Sequence, residues 1–118
     1  MTEEDWTAER VGAWELAELG ARRAAGGHPY LEFLRVPDLS AGLYVLDAGE
    51  VDRQSPHGED EIYVVMSGRG RLRMGERDVA VEPGMTLFVA AGVDHRFHDI
   101  AERLVLLVAF GPAEGSKA

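Results

Sequence analysis

Two histidines and a glutamate in this sequence have the residue types and the spacing of a mononuclear metal site. His57 and Glu61 are four residues apart. On an extended chain the side chains alternate between two faces, so this spacing would point both toward the same face. His95, in a separate segment, could supply a third ligand. Neutral imidazole and carboxylate suit divalent first-row metals, and the sequence therefore predicts a metal ion held by these residues.

The composition limits which other classes of protein this could be. At 118 residues with 46% hydrophobic residues, the chain is long enough for one domain with a real core. Its net charge is -9, with 21 acidic against 12 basic residues, which argues against nucleic-acid and membrane partners because both are polyanionic. There is no cysteine, so disulfides, iron–sulfur clusters and thiolate zinc sites are excluded.

The N-terminal sequence does not have the pattern of an export signal. Residues Met1 to Asp5 are acidic where a secretory signal is basic and then apolar. No apolar run approaches the ~20 residues needed to span a membrane. We therefore predict a cytoplasmic protein.

Elements of two kinds are expected along the chain. The segment from Trp14 to Ala25 is rich in Ala, Leu, Glu and Arg and is followed by two glycines, which favours a short helix or an irregular arm. The rest contains short segments that favour β-structure, mostly bounded by glycine, proline or acidic residues. They are 31–36, 42–46, 62–66, 71–74, 79–81, 86–89 and 104–110. Tight turns are expected at Ser67-Gly68, at Gly75-Glu76 and at 82–84. Many closely spaced short strands are typical of a sandwich or a barrel.

Two motifs in this β-rich region resemble those of the cupins, over roughly residues 31 to 110. The first cupin motif runs glycine, five residues, His-x-His, three or four residues, Glu, six residues and glycine. The second runs glycine, five residues, Pro-x-Gly, two residues, His, three residues and Asn. The matching positions are Gly49, His57, Glu61 and Gly68 in the first motif and Gly84, Gly92 and His95 in the second. The departures are Ser55 for the first histidine, Ala90 for the proline and Asp99 for the asparagine.

This resemblance implies an all-β fold, a cupin-type double-stranded β-helix or jelly-roll barrel with a short N-terminal helical or irregular arm. We expect the arm over 1–27, the barrel over 28–111 and a flexible tail over 112–118. The resemblance also implies one divalent metal ion (Fe, Mn, Zn or Ni) and a homodimer. The apolar arm around Trp14, Leu16 and Leu19 could supply the dimer surface.

The position of the missing histidine has to be filled in another way. A serine hydroxyl is a poor ligand for a divalent metal, so Ser55 leaves this position to water, to substrate or to Gln54. Strict alternation from His57 would turn Gln54 away from the site, but Pro56 could mark a bulge that shifts the facing by one residue. The predicted metal ligands are therefore Gln54, His57, Glu61 and His95.

Simpler interpretations exist for several of these residues. His57 and Glu61 could belong to a solvated acidic loop, since Glu59, Asp60 and Glu61 form a run of charge. If its segment is extended, His98 lies on the face opposite His95 and is expected at the surface or behind the ligands. The alternating arginines at 69, 71 and 73 are expected on a solvated outer face.

Three functions are compatible with these residues. The first, which we favour, is a small metal-dependent enzyme acting on a polar small molecule, as an oxygenase or as an isomerase or lyase. The second is a non-catalytic binding or sensing module for a metal or small ligand. The third is a structural cupin whose ligands have decayed, for which Ser55, Ala90 and Asp99 argue. The sequence assigns no catalytic residue beyond the metal ligands.

Overall fold

A computed structural model of the chain describes residues 11–53 and 56–117. Within these ranges there is one helix followed by six strands. The helix, α1, spans Leu16–Gly26. The strands are β1 (Tyr30–Val36), β2 (Leu39–Leu46), β3 (Asp60–Met74), β4 (Arg77–Val81), β5 (Thr86–Val89) and β6 (His95–Gly111).

Helix α1 ends at a glycine and packs on the outside of the sheet. Gly27 has a φ of 76°, a left-handed conformation that favours glycine, and its N–H donates to the carbonyls of Arg23 and Ala24. The helix buries Leu19 against Leu43 and neighbouring apolar side chains of the sheet. The predicted helix is thereby confirmed, and its apolar side is used within the same chain.

The Trp14 ring fastens the segment before the helix to strand β1. Its centroid lies 5.0 Å from that of the Phe33 ring. Trp14 therefore anchors the N-terminal arm on the sheet through an aromatic contact.

All six strands belong to one antiparallel sheet in the order β1-β2-β6-β3-β4, with β5 also paired to β3. Two strands, β3 with 15 residues and β6 with 17, are long enough to run through both halves of the barrel. The first half of β3 pairs with β5 and the end of β6, and its second half pairs with β4 and the start of β6. The expected all-β, double-stranded β-helix architecture is confirmed.

The tight turn predicted at Ser67-Gly68 is wrong, because β3 continues through these residues. The register between β3 and β6 shifts in this region, so the chain bends as a bulge instead of reversing. Gly68 has a φ of 93°, and an added Cβ would lie 2.0 Å from the carbonyl oxygen of Arg103. A glycine therefore allows two long strands to approach closely where the barrel bends.

Alternate residues of the strands fill the interior. Glu61, Tyr63 and Val65 are buried along β3, while Ile62 and Met66 are exposed. The core consists mainly of aliphatic residues around Tyr63 and Phe97, whose rings meet edge to face at 4.9 Å. The side chains that pack the barrel interior therefore also determine the shape of any cavity inside it.

The chain after β6 returns across the barrel mouth. The buried carboxylate of Glu59 accepts hydrogen bonds from the N–H groups of Gly115 at 3.1 Å and Lys117 at 2.9 Å. The amide of Glu114 donates to Ser40 Oγ at 2.9 Å. Over residues 112–117, the segment expected to be a flexible tail thus makes defined contacts, and we call it the C-terminal segment.

None of the helical residues in the described ranges forms a helix long and apolar enough to cross a membrane.

Candidate metal site

The structure brings together three of the four predicted ligands. The ligand atoms of His57, Glu61 and His95 all lie within 4.8 Å of one another. His57 comes from the loop before β3, Glu61 is the second residue of β3, and His95 is the first residue of β6. Residues far apart in sequence therefore meet because the loop before β6 contacts the loop before β3, although β6 begins opposite Met74 at the far end of β3.

Two hydrogen bonds hold the loops that carry the ligands in register. The N–H of Gly92 donates to the carbonyl of His57 at 2.7 Å. The N–H of Ala91 donates to Oδ1 of Asp60 at 2.8 Å. The loop before His95 is thus fixed against the segment from His57 to Glu61.

The prediction that strand alternation brings His57 and Glu61 to the same face is wrong for His57. The argument from strand alternation requires an extended chain between them, but β3 begins only at Asp60 and His57 lies in the preceding loop. Loop contacts bring His57 to the site, whereas alternation correctly accounts for the inward direction of Glu61. For β6, alternation holds, since His95 and Phe97 are buried while Arg96 is exposed.

Glu61 and His95 form a contact at the centre of the site. Their side chains are each only 2% exposed, and Nε2 of His95 lies 3.0 Å from Oε1 of Glu61. The distance is that of an ion pair, but the geometry is not that of a hydrogen bond, and neither Glu61 oxygen nor His95 Nε2 has a hydrogen-bond partner among the described residues. Three buried polar atoms without partners in one place are costly unless a cation or a proton compensates them.

The other ring nitrogen of His95 determines which of its atoms is available. Nδ1 lies 2.9 Å from the carbonyl oxygen of Val93. A carbonyl can only accept, so Nδ1 carries the proton and donates it. In the neutral ring Nε2 then presents a lone pair toward Glu61, which is the arrangement in which a backbone carbonyl orients a histidine for metal binding.

The electrostatic surroundings of His95 favour a positive charge. Burial alone lowers the pKa of His95, but the Glu61 carboxylate, the bond to the Val93 carbonyl and the nearby Asp52 together raise that pKa above its ordinary value. Either a proton on Nε2 or a metal ion beside it would supply this positive charge.

The fourth predicted ligand, Gln54, and the adjacent Ser55 lie outside the described residues. The assignment of Gln54 as a ligand stays a prediction.

The acidic run before β3 is not a solvated loop. Glu59 and Glu61 are buried, and only Asp60 is exposed. The simpler interpretation of His57 and Glu61 as surface residues therefore does not hold. His98, by contrast, lies on the outer face, where Nε2 is 3.0 Å from Oδ1 of Asp78.

The arginines of β3 behave as the sequence predicts. Arg69 pairs with Glu82 at 2.8 Å and Arg71 pairs with Asp78 at 3.2 Å, all with partly or largely exposed side chains. They lie on the solvated outer face.

Asp52 is a site residue that sequence reasoning missed. It is fully buried, and its carboxylate accepts from the hydroxyl of Tyr44 at 2.7 Å and from the N–H of Phe97 at 3.0 Å. It therefore links β2 to β6 two residues beyond His95. The available sequence signal was the position of Asp52 between Gly49 and His57. That segment is irregular, so no alternation of side chains indicates that Asp52 faces inward.

A cavity of about 230 Å³ opens beside two of the candidate ligands, His57 and Glu61. Its walls combine polar and apolar side chains from several strands and the C-terminal segment. The lining residues are Tyr30, Tyr44, His57, Glu61, Val108, Phe110 and Glu114. The Tyr30 hydroxyl is buried and has no hydrogen-bond partner among the described residues, so it is available to a molecule in the cavity.

Glu114 is the second residue that sequence reasoning missed, because it lies in the expected tail. Its Oε2 is 4.0 Å from Nδ1 of His57. Burial raises the pKa of Glu114. Only the return of the C-terminal segment over the mouth places this carboxylate beside the candidate ligands.

The fold and the two motif segments define the class of protein. The cupin domain family matches residues 42–110, more than half of the chain. The chain belongs to the cupin family, as the resemblance of its motifs implied.

Individual relatives extend this result. An uncharacterised protein of Streptomyces coelicolor, SCO3923, is 49% identical over 102 residues, which cover 86% of this chain and 97% of that protein. The crystal structure of BH2720 from Bacillus halodurans matches with a TM-score of 0.72 at 19% identity, covering 86% of this chain and 82% of the other. That of the DMSP lyase DddQ from Ruegeria pomeroyi matches with a TM-score of 0.63 at 20% identity, covering 75% of this chain and 49% of the other. The two structural similarities show the shared fold.

Proposed function

We propose that this protein is a metal-dependent cupin enzyme acting on a polar small molecule, with His57, Glu61 and His95 as ligands of one divalent ion. The observation that carries the proposal is the buried carboxylate of Glu61, which has no hydrogen-bond partner among the described residues and lies 3.0 Å from the Nε2 atom of His95. His57 stands at the open side of this pair, with its side chain 19% exposed.

The donor set fits a divalent ion. Two imidazoles and one carboxylate are borderline ligands that suit iron, manganese, nickel and zinc, and one negative charge leaves a net positive centre. Three protein ligands also leave coordination positions for water and substrate, as in catalytic sites. A bound ion would supply Lewis acidity toward an oxygen of the substrate or, if it is iron(II), a centre for oxygen chemistry.

The other residues of the cavity supply groups that can bind and orient the substrate. The Tyr30 hydroxyl can donate or accept a hydrogen bond. The Tyr44 hydroxyl is oriented by its donation to Asp52. Val108 and Phe110 form an apolar wall that restricts water on one side.

Lyase or isomerase chemistry fits these surroundings better than oxygen chemistry does. Beside a Lewis-acid centre, the Glu114 carboxylate can accept a proton during elimination or isomerisation. Burial raises the pKa values of Tyr30 and Tyr44, so their hydroxyls stay protonated and act as hydrogen-bonding groups. One protein with a similar fold is, by its description, a DMSP lyase. At 20% identity this likeness shows the fold, and the proposal rests on the cavity residues.

Metal content measured by plasma mass spectrometry tests the proposal. Protein without an affinity tag should contain, or take up from solution, close to one equivalent of iron, manganese, nickel or zinc. His57→Ala, Glu61→Gln and His95→Gln should each lose it. His98→Gln is the matched control, because His98 is on the outer face and pairs with Asp78.

A wild-type protein that binds none of these four metals would contradict the proposal. It would favour the second function, a metal-free binding module in which a protonated His95 and Glu61 form a buried ion pair. Metal lost equally in His98→Gln would show that the ion is bound on the surface.

A further inference from the structure

The carboxylate of Glu114 stands at a cavity wall where, among the described lining residues, the one basic side chain is His57, with Nδ1 4.0 Å from Oε2 and so beyond hydrogen-bond distance. Among the described residues that line the cavity, the groups that can carry charge are two acids, two tyrosines and His57. Arg35 is exposed and does not line the cavity; its guanidinium donates to the Glu32 carboxylate at 3.0 Å and to the backbone carbonyl of Glu114 at 2.8 Å. A metal ion held by His57 and Glu61 would neutralise Glu61 and keep the His57 ring uncharged, so Glu114 would face no charged partner among the lining residues.

Polar atoms without partners point to a ligand in this cavity. Both oxygens of Glu61, which is 2% exposed, and the buried hydroxyl of Tyr30 have no hydrogen-bond partner among the described residues. Buried polar atoms of this kind are rare in folded proteins and mark places where a ligand or an ion completes the bonding.

Hydrogen bonds fix the backbone around Glu114. A residue that selects between ligands has to be held in a fixed position. Its N–H donates to Ser40 Oγ, and the next residue, Gly115, donates to the buried carboxylate of Glu59. Glu59 also accepts from the N–H of Lys117, so one buried side chain secures two points of the C-terminal segment. Gly58 lies against the carbonyl of Lys117 so closely that an added Cβ would lie 1.5 Å from that oxygen.

We propose that Glu114 determines the substrate class, so that the cavity selects small molecules with a primary ammonium group, accepts hydroxyl compounds more weakly and rejects carboxylates. The donor group faces the Glu114 carboxylate and the apolar body lies against Val108 and Phe110. Glu59 is the positioning residue, because it holds the segment that carries Glu114. This inference rests on the proposed function only in placing the ligand beside the metal-binding residues.

Three probes with the same ring and different head groups test the inference: benzylamine, benzyl alcohol and benzoate. Each is titrated into zinc-loaded and into metal-free protein, and dissociation constants are obtained from NMR shifts of residues that line the cavity. We expect benzylamine to bind most tightly and benzoate most weakly in the metal-free form, whereas in the zinc-loaded form the open coordination positions also admit the benzoate carboxylate and reduce the difference. Hydrogen bonds to charged groups contribute about 1.5–3 kcal/mol, so Glu114→Gln should reduce the preference for benzylamine over benzoate about tenfold or more.

Two further variants separate selection from folding. Glu102→Gln removes an exposed carboxylate, 3.5 Å from Arg69 on the outer face, and should leave the preference unchanged. Glu59→Gln should reduce the preference by loosening the C-terminal segment while the protein stays folded and its zinc content stays constant. A purely structural role for Glu59 would weaken all three probes equally.

In the metal-free form, benzoate binding as tightly as benzylamine, an unchanged preference in Glu114→Gln, or no binding of benzylamine would each overturn the inference. Zinc uptake is measured on the same protein, so the two proposals can fail separately. Protein that takes up no metal but still prefers benzylamine would contradict only the metal site. Protein that takes up zinc but prefers benzoate in its metal-free form would contradict only the substrate class.

Discussion

Gly42 of strand β2 leaves the space that the ring of Tyr30 occupies across the strand pair. A Cβ added at Gly42 would lie 2.2 Å from both the Cζ and the hydroxyl oxygen of Tyr30. The absence of a side chain at one position therefore lets an aromatic ring lie flat over the sheet and carry its hydroxyl into the cavity. This relationship connects a glycine within a strand to the shape of the candidate site.

Gly42→Ala should displace the Tyr30 ring and change the cavity while the metal ligands stay in place. Overpacking of this kind costs about 1–3 kcal/mol of unfolding free energy. Probe binding should weaken, whereas zinc content should be unchanged. Chemical denaturation and the probe titrations measure these effects. Gly20→Ala in α1, where an added Cβ meets nothing within 4 Å, is the control and should not destabilise the protein. Equal effects of the two variants would contradict the proposed role of Gly42.

Metal binding should raise the thermal stability of the wild type but not of Glu61→Gln. A ligand that binds only the folded state at about 100 times its dissociation constant stabilises by about 2.7 kcal/mol. Differential scanning calorimetry with and without zinc measures the change. A zinc-induced shift of the same size in Glu61→Gln would show that the metal binds elsewhere.

Substitution of Asp52 should destabilise the protein without removing a metal ligand. Asp52→Ala leaves the Tyr44 hydroxyl and the Phe97 N–H, now bonded at 2.7 Å and 3.0 Å, without this acceptor. Each buried polar group left unpaired costs about 1–3 kcal/mol. Tyr44→Phe removes only one of the two donors and should cost less. Urea denaturation of both single variants and the double variant measures the coupling. A loss no greater in Asp52→Ala than in Tyr44→Phe would contradict the role of Asp52 as a link between strands.

Zinc affinity should increase as the pH rises through the pKa of His95. That pKa lies above its ordinary 6.5, so over this range a proton competes with the metal for Nε2. In metal-free protein the sign for stability is opposite. The pairing of protonated His95 with Glu61 stabilises the fold fully below pH 6.5, and this contribution is lost as the pH rises through the raised pKa.

Competition titrations with a chromophoric chelator, from about pH 5 to about pH 8, measure this dependence. His98→Gln should give the same curve as the wild type. A zinc affinity independent of pH over this range would count against His95 as a ligand.

The sequence by itself determined the fold class and most of the strands. Thr86–Val89 forms β5 with the predicted bounds, and the turns at Gly75-Glu76 and 82–84 are confirmed. These features follow from local chemistry, since β-branched and aromatic residues favour strands and glycine and proline favour turns. The three residues of the candidate site were also identifiable from the sequence. Histidine and glutamate are residue types that bind metals, and here they have the spacing of the cupin motifs.

Only the tertiary structure decided how these residues meet and what surrounds them. The bend of β3 at Gly68, the inward direction of Asp52 and the return of Glu114 over the mouth each depend on contacts between distant segments. The alternation of residue types along a segment does not reveal contacts with distant segments. The candidate metal ligands could therefore be predicted from residue types and spacing. The walls of the cavity, and with them the proposed substrate class, follow from the way the strands and the C-terminal segment pack.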